Sequence, residues 1–265
     1  MNTQARIASI LNTSPLDSSV TGFTTFHLSD LNLKPLIAFQ LPTNLRLGHL
    51  VEEVVSKLFQ FSTNYKLIDR NIQIIQEKRT IGELDFIIEN RTTRELTHIE
   101  LAYKFYLYDP TISTEYINNW IGPNRNDSLI EKLKKIKTKQ FPLLYHESSI
   151  SKLKSIKTEH ISQELCLLAS LYIPFNFKGY IPPIYSNHIK GYYLNLNHFL
   201  SQDKTEKTYY LPSKKEWGID PKVNTNWLDL KSISQKIDAC INEKQAPLCW
   251  QKFKDTYSSF FIIWW

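Results

Sequence analysis

The sequence predicts an α/β fold: a helix, three strands, a second helix and a buried strand, followed by a smaller aromatic-rich C-terminal α+β lobe. Three observations predict it. Apolar residues recur at helical spacing in 46–60, strand-like runs fill 71–107, and 165–173 is one continuous apolar run. The chain has 265 residues, 42% of them hydrophobic, enough for one large core or for one core with an appended lobe. Charged residues make up 22% and aromatic residues 13%, which excludes a disordered chain. Seven glycines are too few for a collagen-like or glycine-linker architecture.

Residues 1–44 are rich in Ser, Thr and Asn, hold Pro15, Pro35 and Pro42, and read as an N-terminal arm packed on the core. Leu47, Leu50, Val51, Val54, Val55, Leu58 and Phe59 then form one stripe of an amphipathic helix. Residues 71–76 read as a strand, Thr80-Ile81-Gly82 as a turn and 83–88 as a second strand. After a polar turn at 90–94, residues 96–107 form a long third strand. Asn126 or Asp127 caps a helix running to about Lys139, with Leu129, Leu133 and Ile136 as its apolar stripe. The run 165–173 fits a strand buried on both faces. Short strand-like pieces and one helix near 229–243 follow. The expected divisions are an arm at 1–44, a core at 45–173 and a lobe at 174–265.

Cys166, Cys240 and Cys249 are far apart and in no CxxC pattern, so neither a zinc site nor a disulfide framework is indicated. The first residues lack the basic-then-apolar pattern of a secretory leader. No apolar stretch approaches a membrane span, so a cytoplasmic protein without membrane partners is expected. The net charge of +6 is concentrated. Residues 131–158 hold eight lysines (132, 134, 135, 137, 139, 152, 154 and 157) against Glu131 and Glu147, which accounts for the whole excess. That segment is either a solvated helix face or a phosphate-binding flank that sets Lys132, Lys135, Lys139 and Gln140 on a nucleic acid.

Burying an unpaired carboxylate is costly, so acids inside apolar strands call for a partner or a function. Asp85 lies within Leu84-Asp85-Phe86-Ile87-Ile88, and Glu100 within Ile99-Glu100-Leu101-Ala102. Residues two apart on a strand share a face, so His98, Glu100, Ala102, Lys104 and Tyr106 point one way. The neighbouring hairpin strand adds Glu83 and Asp85. Two carboxylates beside an ammonium suit a hard divalent cation with an activated water. On the first helix, Glu52 falls at the edge of the apolar arc and Glu53 on the opposite, solvated side. Gly48, one turn before Glu52, leaves room for an ion or a phosphate. Singly, each acid has an ordinary reading: Asp85 or Glu100 in an ion pair with a lysine, Glu52 as surface decoration. Together with the element order, Glu52, Asp85, Glu100 and Lys104 read as one site.

This pattern resembles the core of the PD-(D/E)XK nuclease superfamily. More closely, the chain resembles the bacterial family called domain of unknown function 1853. The matching stretches are Leu47-Gly48-His49-Leu50-Val51-Glu52, Arg79-Thr80-Ile81-Gly82-Glu83-Leu84-Asp85-Phe86 and 98–107, with Trp120-Ile121-Gly122-Pro123-Asn124-Arg125-Asn126-Asp127, Lys132 and Gln140. Weaker echoes lie at 191–194 and 211–217. The resemblance implies a restriction-endonuclease-like αβββαβ core, its mixed sheet flanked by helices. It also implies Mg²⁺ (or Mn²⁺) held by Asp85 and Glu100, often with Glu52, while a lysine orients the attacking water. Gln140 is similar to a glutamine that some members place beside the site. One departure stands out. The superfamily's spacing is acid-x-Lys, whereas here Ala102 takes that place and Lys104 lies about 7 Å further along the same face.

The expected function is therefore a Mg²⁺-dependent nuclease that hydrolyses phosphodiester bonds of DNA. The alternative is a catalytically inactive protein of the same fold that binds nucleic acid or a protein partner. Trp217, Trp227, Trp250, Tyr192 and Tyr193 are read either as core aromatics or as surfaces for stacking bases.

Overall fold

The computed structural model describes residues 2–35, 39–153, 158–202 and 206–265. Its first helices are α1 (Thr3–Leu11), α2 (Ser18–Thr21) and α3 (Leu47–Phe61). Strands β1 (Tyr65–Gln76), β2 (Arg79–Asn90), β3 (Leu96–Tyr108) and the two-residue β4 (Trp120–Ile121) follow. Helix α4 (Leu129–Lys135) passes through a π-helical turn, Ile136–Gln140, into α5 (Phe141–Leu143), and α6 (Glu147–Lys152) precedes β5 (Ile161–Pro174). The chain ends with β6 (Ile189–Asn195), α7 (Leu196–Ser201), β7 (Lys207–Tyr210), α8 (Leu230–Asn242), β8 (Leu248–Phe253) and β9 (Thr256–Ile263).

Hydrogen bonding joins the strands in the order β1-β2-β3-β5-β6-β9-β8-β7, with β4 beside β3. The sheet is mixed: β1–β2 and β2–β3 are antiparallel, β5–β6 and β6–β9 parallel. This is the α/β class read from the sequence, a large mixed sheet flanked by helices. Strand β1 starts six residues before the expected one. Its first half is only part-buried, so it lacks the apolar signal that marks 71–76 and is held by pairing with β2. Among the described residues, no helix is long and apolar enough to cross a membrane.

The chain forms two compact units. One comprises Ser14–Tyr103 and Glu131–Leu168, the other Met1–Thr13, Lys104–Ile130 and Ala169–Trp265. In the first unit, α3 buries Leu50, Val51, Val54, Val55, Leu58 and Phe59, and the Phe59 ring meets Phe86 at 5.4 Å. A second apolar cluster joins Ile72, Ile74, Leu84 and Ile87 to Leu143, Leu144 and Leu153. The segment after Thr13 runs beside β5, with Leu16 N–H on the Leu167 carbonyl and Leu165 N–H on the Thr24 carbonyl. The second unit is built around aromatic residues. Trp217 packs edge-on to Phe105 and Phe261, and Tyr192 stacks on Phe260. Its cluster of Leu194, Phe199, Tyr209, Ile233, Ile237 and Ile262 sits under α8.

Candidate active site

Glu100 lies on β3 at 0% exposure, and its two carboxylate oxygens are held from opposite directions. His98, two residues earlier and also fully buried, places Nε2 3.1 Å from Glu100 Oε1. The Gln163 amide nitrogen lies 3.0 Å from His98 Nδ1 and donates to the Phe141 carbonyl at 2.8 Å. An amide nitrogen only donates, so His98 Nδ1 accepts and Nε2 carries the hydrogen given to Glu100. From the other side Gln140 Nε2 donates to Glu100 Oε2, and Lys132 Nζ donates to Gln140 Oε1 at 2.9 Å. Lys132 and Glu100 are thus linked through one glutamine.

Asp85 enters from β2, where antiparallel pairing sets Phe86 against Ile99. Its Oδ2 accepts the Leu101 N–H at 2.8 Å, so β3 itself anchors the acid. In β1 the pairs Arg70–Phe86 and Ile72–Leu84 leave Asn71 opposite Asp85. Asn71 adopts φ +51°, a left-handed conformation that asparagine tolerates better than most residues. Its amide donates to Glu52 Oε2 at 3.3 Å and Glu83 Oε1 at 3.2 Å, tying α3 to β2. Glu52 also accepts from His49 at 3.0 Å, and its side chain is 21% exposed. A Cβ at Gly48 would meet nothing within 4 Å, so space is open there.

The electrostatics follow from burial. Burial first, then the Glu100 charge and Glu52, pushes the Asp85 carboxyl up to about 8 from an ordinary 3.8. Burial likewise pushes Glu100 up to about 8 from 4.5, against the opposing charges of Lys132 and Lys135. Burial lowers His98 to about 4 from 6.5, in keeping with its neutral, donating tautomer. Burial thus favours the protonated form of both acids.

The pH dependence of stability follows. Asp85 and Glu100 bind protons more tightly folded than unfolded, so each withdraws stability as pH rises from about 4 to about 8. His98 acts oppositely, adding stability between about 4 and 6.5 and nothing above. Between pH 6.5 and 8 the metal-free protein is therefore expected to lose stability as pH rises, on the order of 1 kcal/mol per pH unit. Urea unfolding across that window checks this. Rising stability would mean the two acids are already ionised.

The chemistry of this donor set, hard carboxylate oxygens buried on adjacent strands, fits a hard divalent cation. Among the described residues, however, no group of three or more His, Cys, Asp or Glu side chains is already gathered to hold one. Asp85, Glu100, Glu52, Lys132 and Gln140 belong to one unit and are linked by hydrogen bonds or close charge interactions. Lys104 belongs to the other unit, where its Nζ sits 2.6 Å from Asp127 Oδ2. Lys135 and Lys139 are exposed, and Lys154 and Lys157 lie outside the described residues. Glu53 departs from the helical-wheel expectation. It is half-buried and pairs with Arg70 at 2.9 Å, because the extended β1 brings Arg70 alongside α3. Cys166 is an inert core thiol, pushed up to about 12 by burial.

The sequence model of one protein family, described as a domain of unknown function, matches residues 13–259. The chain belongs to the DUF1853 family. No curated protein and no solved structure matches it. The matched span of this DUF1853 domain contains every residue of the acidic cluster. Three of its polar partners escaped the reading of the sequence: Asn71, His98 as the holder of Glu100, and Gln163. Only His98 left a signal, since strand alternation puts it on the face of Glu100. Asn71 and Gln163 reach the site through strand pairing, which a single sequence does not display.

Proposed function

We propose that this DUF1853 domain is a Mg²⁺-dependent nuclease hydrolysing DNA phosphodiester bonds, with a PD-(D/E)XK-like core of helix α3, strands β1–β3, helix α4 and strand β5. One observation carries the reading: Asp85 and Glu100 are acids buried on adjacent strands, both pushed up by burial, and the Glu100 charge raises Asp85 further, with Glu52 at their rim. Ionising such a pair is unfavourable unless a cation is held there. Asp85 and Glu100 would hold the ion, and Glu52 would join them from α3. A divalent cation bound there supplies Lewis-acid polarisation of a phosphate oxygen and an acidified water. The chain's own part is positional. His98 and Gln140 fix the two oxygens of Glu100, and Leu101 N–H fixes Asp85.

Exposed Lys135 and Lys139 on the helix of the same unit would track the DNA backbone. Each phosphate neutralised adds about 0.9 to the salt slope of binding, so Lys135→Gln with Lys139→Gln is expected to lower that slope by about two. An unchanged slope, measured by fluorescence anisotropy from low to moderate salt, would leave these lysines as a solvated face. A second reading, the same fold binding nucleic acid without cutting it, is favoured by the lack of a preformed three-ligand group among the described residues. Comparing DNA binding and DNA cleavage with and without Mn²⁺ separates the two. Binding without new ends in either condition favours the second.

A further inference from the structure

We propose that Lys132, and not Lys104, supplies the positive charge of the acidic site, acting as a positioning residue on Glu100 through Gln140. The proposal rests on the metal-dependent reading above. Lys132 is half-buried on α4, donates to Gln140 Oε1 at 2.9 Å, and Gln140 passes its amide hydrogen to Glu100. Its charge acts on both acids, favouring the ionised form of Asp85 and of Glu100.

Helix geometry explains how residues eight apart meet. On a regular α-helix, eight residues rotate the direction by about 800°, which leaves Gln140 about 80° away from the face of Lys132. The π-helical turn at Ile136–Gln140 takes up one extra residue. Gln140 then stands where a seven-residue step would put it, within about 20° of Lys132. The turn is thus the device that lets one lysine govern a glutamine two turns on. Lys104, by contrast, is matched by Asp127, whose own carbonyl accepts the Gly122 N–H at 2.7 Å. That pairing serves the 122–127 loop of its own unit.

Two measurements on the full chain test the assignment: Mn²⁺ affinity by calorimetry, and DNA cleavage at saturating Mn²⁺. Lys132→Gln keeps an N–H donor but removes a cation that competes with the metal. It is expected to bind Mn²⁺ about tenfold more tightly while cutting DNA about 100-fold more slowly. Lys132→Arg restores charge and is expected to recover much of the rate, whereas Lys104→Gln leaves Mn²⁺ affinity within about twofold. Opposite changes in metal affinity and rate are what a merely structural residue does not produce. Loss of both in Lys132→Gln, or the opposite-sign pattern in Lys104→Gln, overturns the assignment. If the wild type binds Mn²⁺ but cuts nothing, hydrolysis fails while the Mn²⁺ affinities alone decide the role of Lys132. A wild type that binds no Mn²⁺ overturns both together.

Discussion

Asp85→Asn is expected to lose Mn²⁺ binding and all detectable cleavage, and yet to be more stable than the wild type without metal at pH 8. The two effects have one cause. Asp85 is a buried acid whose ionisation is opposed by burial and by the charges of Glu100 and Glu52. Asparagine keeps an oxygen for the Leu101 N–H, carries no charge and adds amide hydrogens among carboxylates. Removing the repulsion is expected to add about 1–2 kcal/mol at pH 8, while the metal loses a ligand it needs. Urea unfolding with and without Mn²⁺ reads the stability, and calorimetry reads the ion. Unchanged Mn²⁺ affinity in Asp85→Asn would remove this acid from the site. A variant less stable than the wild type would mean that Asp85 is a structural anchor.

His98→Ala is expected to be the most damaging substitution for folding among the site residues. The imidazole is fully buried and contacts the Phe141 ring at 5.9 Å between centroids. It links Gln163 on β5 to Glu100 on β3 within one unit. Alanine leaves a cavity, an unaccepted Gln163 N–H and a Glu100 oxygen without its donor. Roughly 2–4 kcal/mol of lost stability is expected, read from the shift in the urea midpoint. Cleavage by the fraction still folded should fall further, because Glu100 is then held from one side. If the loss is under about 0.5 kcal/mol, the hydrogen bonds to His98 contribute little and Glu100 is positioned by Gln140 alone.

How far the sequence reveals the site depends on the range of the interaction involved. Helix α3, strand β3 and the apolar second half of β2 were legible because their apolar periodicity is local and strong, whereas Thr80-Ile81-Gly82, read as a turn, lies within β2 and pairs with β1. Asp85 and Glu100 were legible for a chemical reason: a charge in an apolar strand stands out against its neighbours. Helix phase set Glu53 in solvent, whereas it is half-buried like Glu52, because that phase does not show that Arg70 pairs with Glu53. The link between Lys132 and Gln140 was hidden because it depends on one π-helical turn, and ideal helix geometry points the two apart. Lys104 shares strand alternation with Glu100, but alternation says nothing about Asp127, twenty-three residues on, which holds its ammonium. The basic flank was visible in composition, whereas its division into Lys132 beside the acids and exposed Lys135 and Lys139 required the fold.

Cleavage itself is the most direct measurement. Linear, nicked, branched and single-stranded DNA, with matching RNA, can be incubated with the full chain and Mg²⁺ or Mn²⁺, and the products examined for new ends. A divalent-dependent nuclease centred on Asp85 and Glu100 cuts at least one DNA in the presence of the ion, stops on chelation, and is silent as Asp85→Asn. Wild-type protein that cuts none of them, or cleavage that survives both chelation and Asp85→Asn, would contradict a metal-dependent nuclease site at this carboxylate pair.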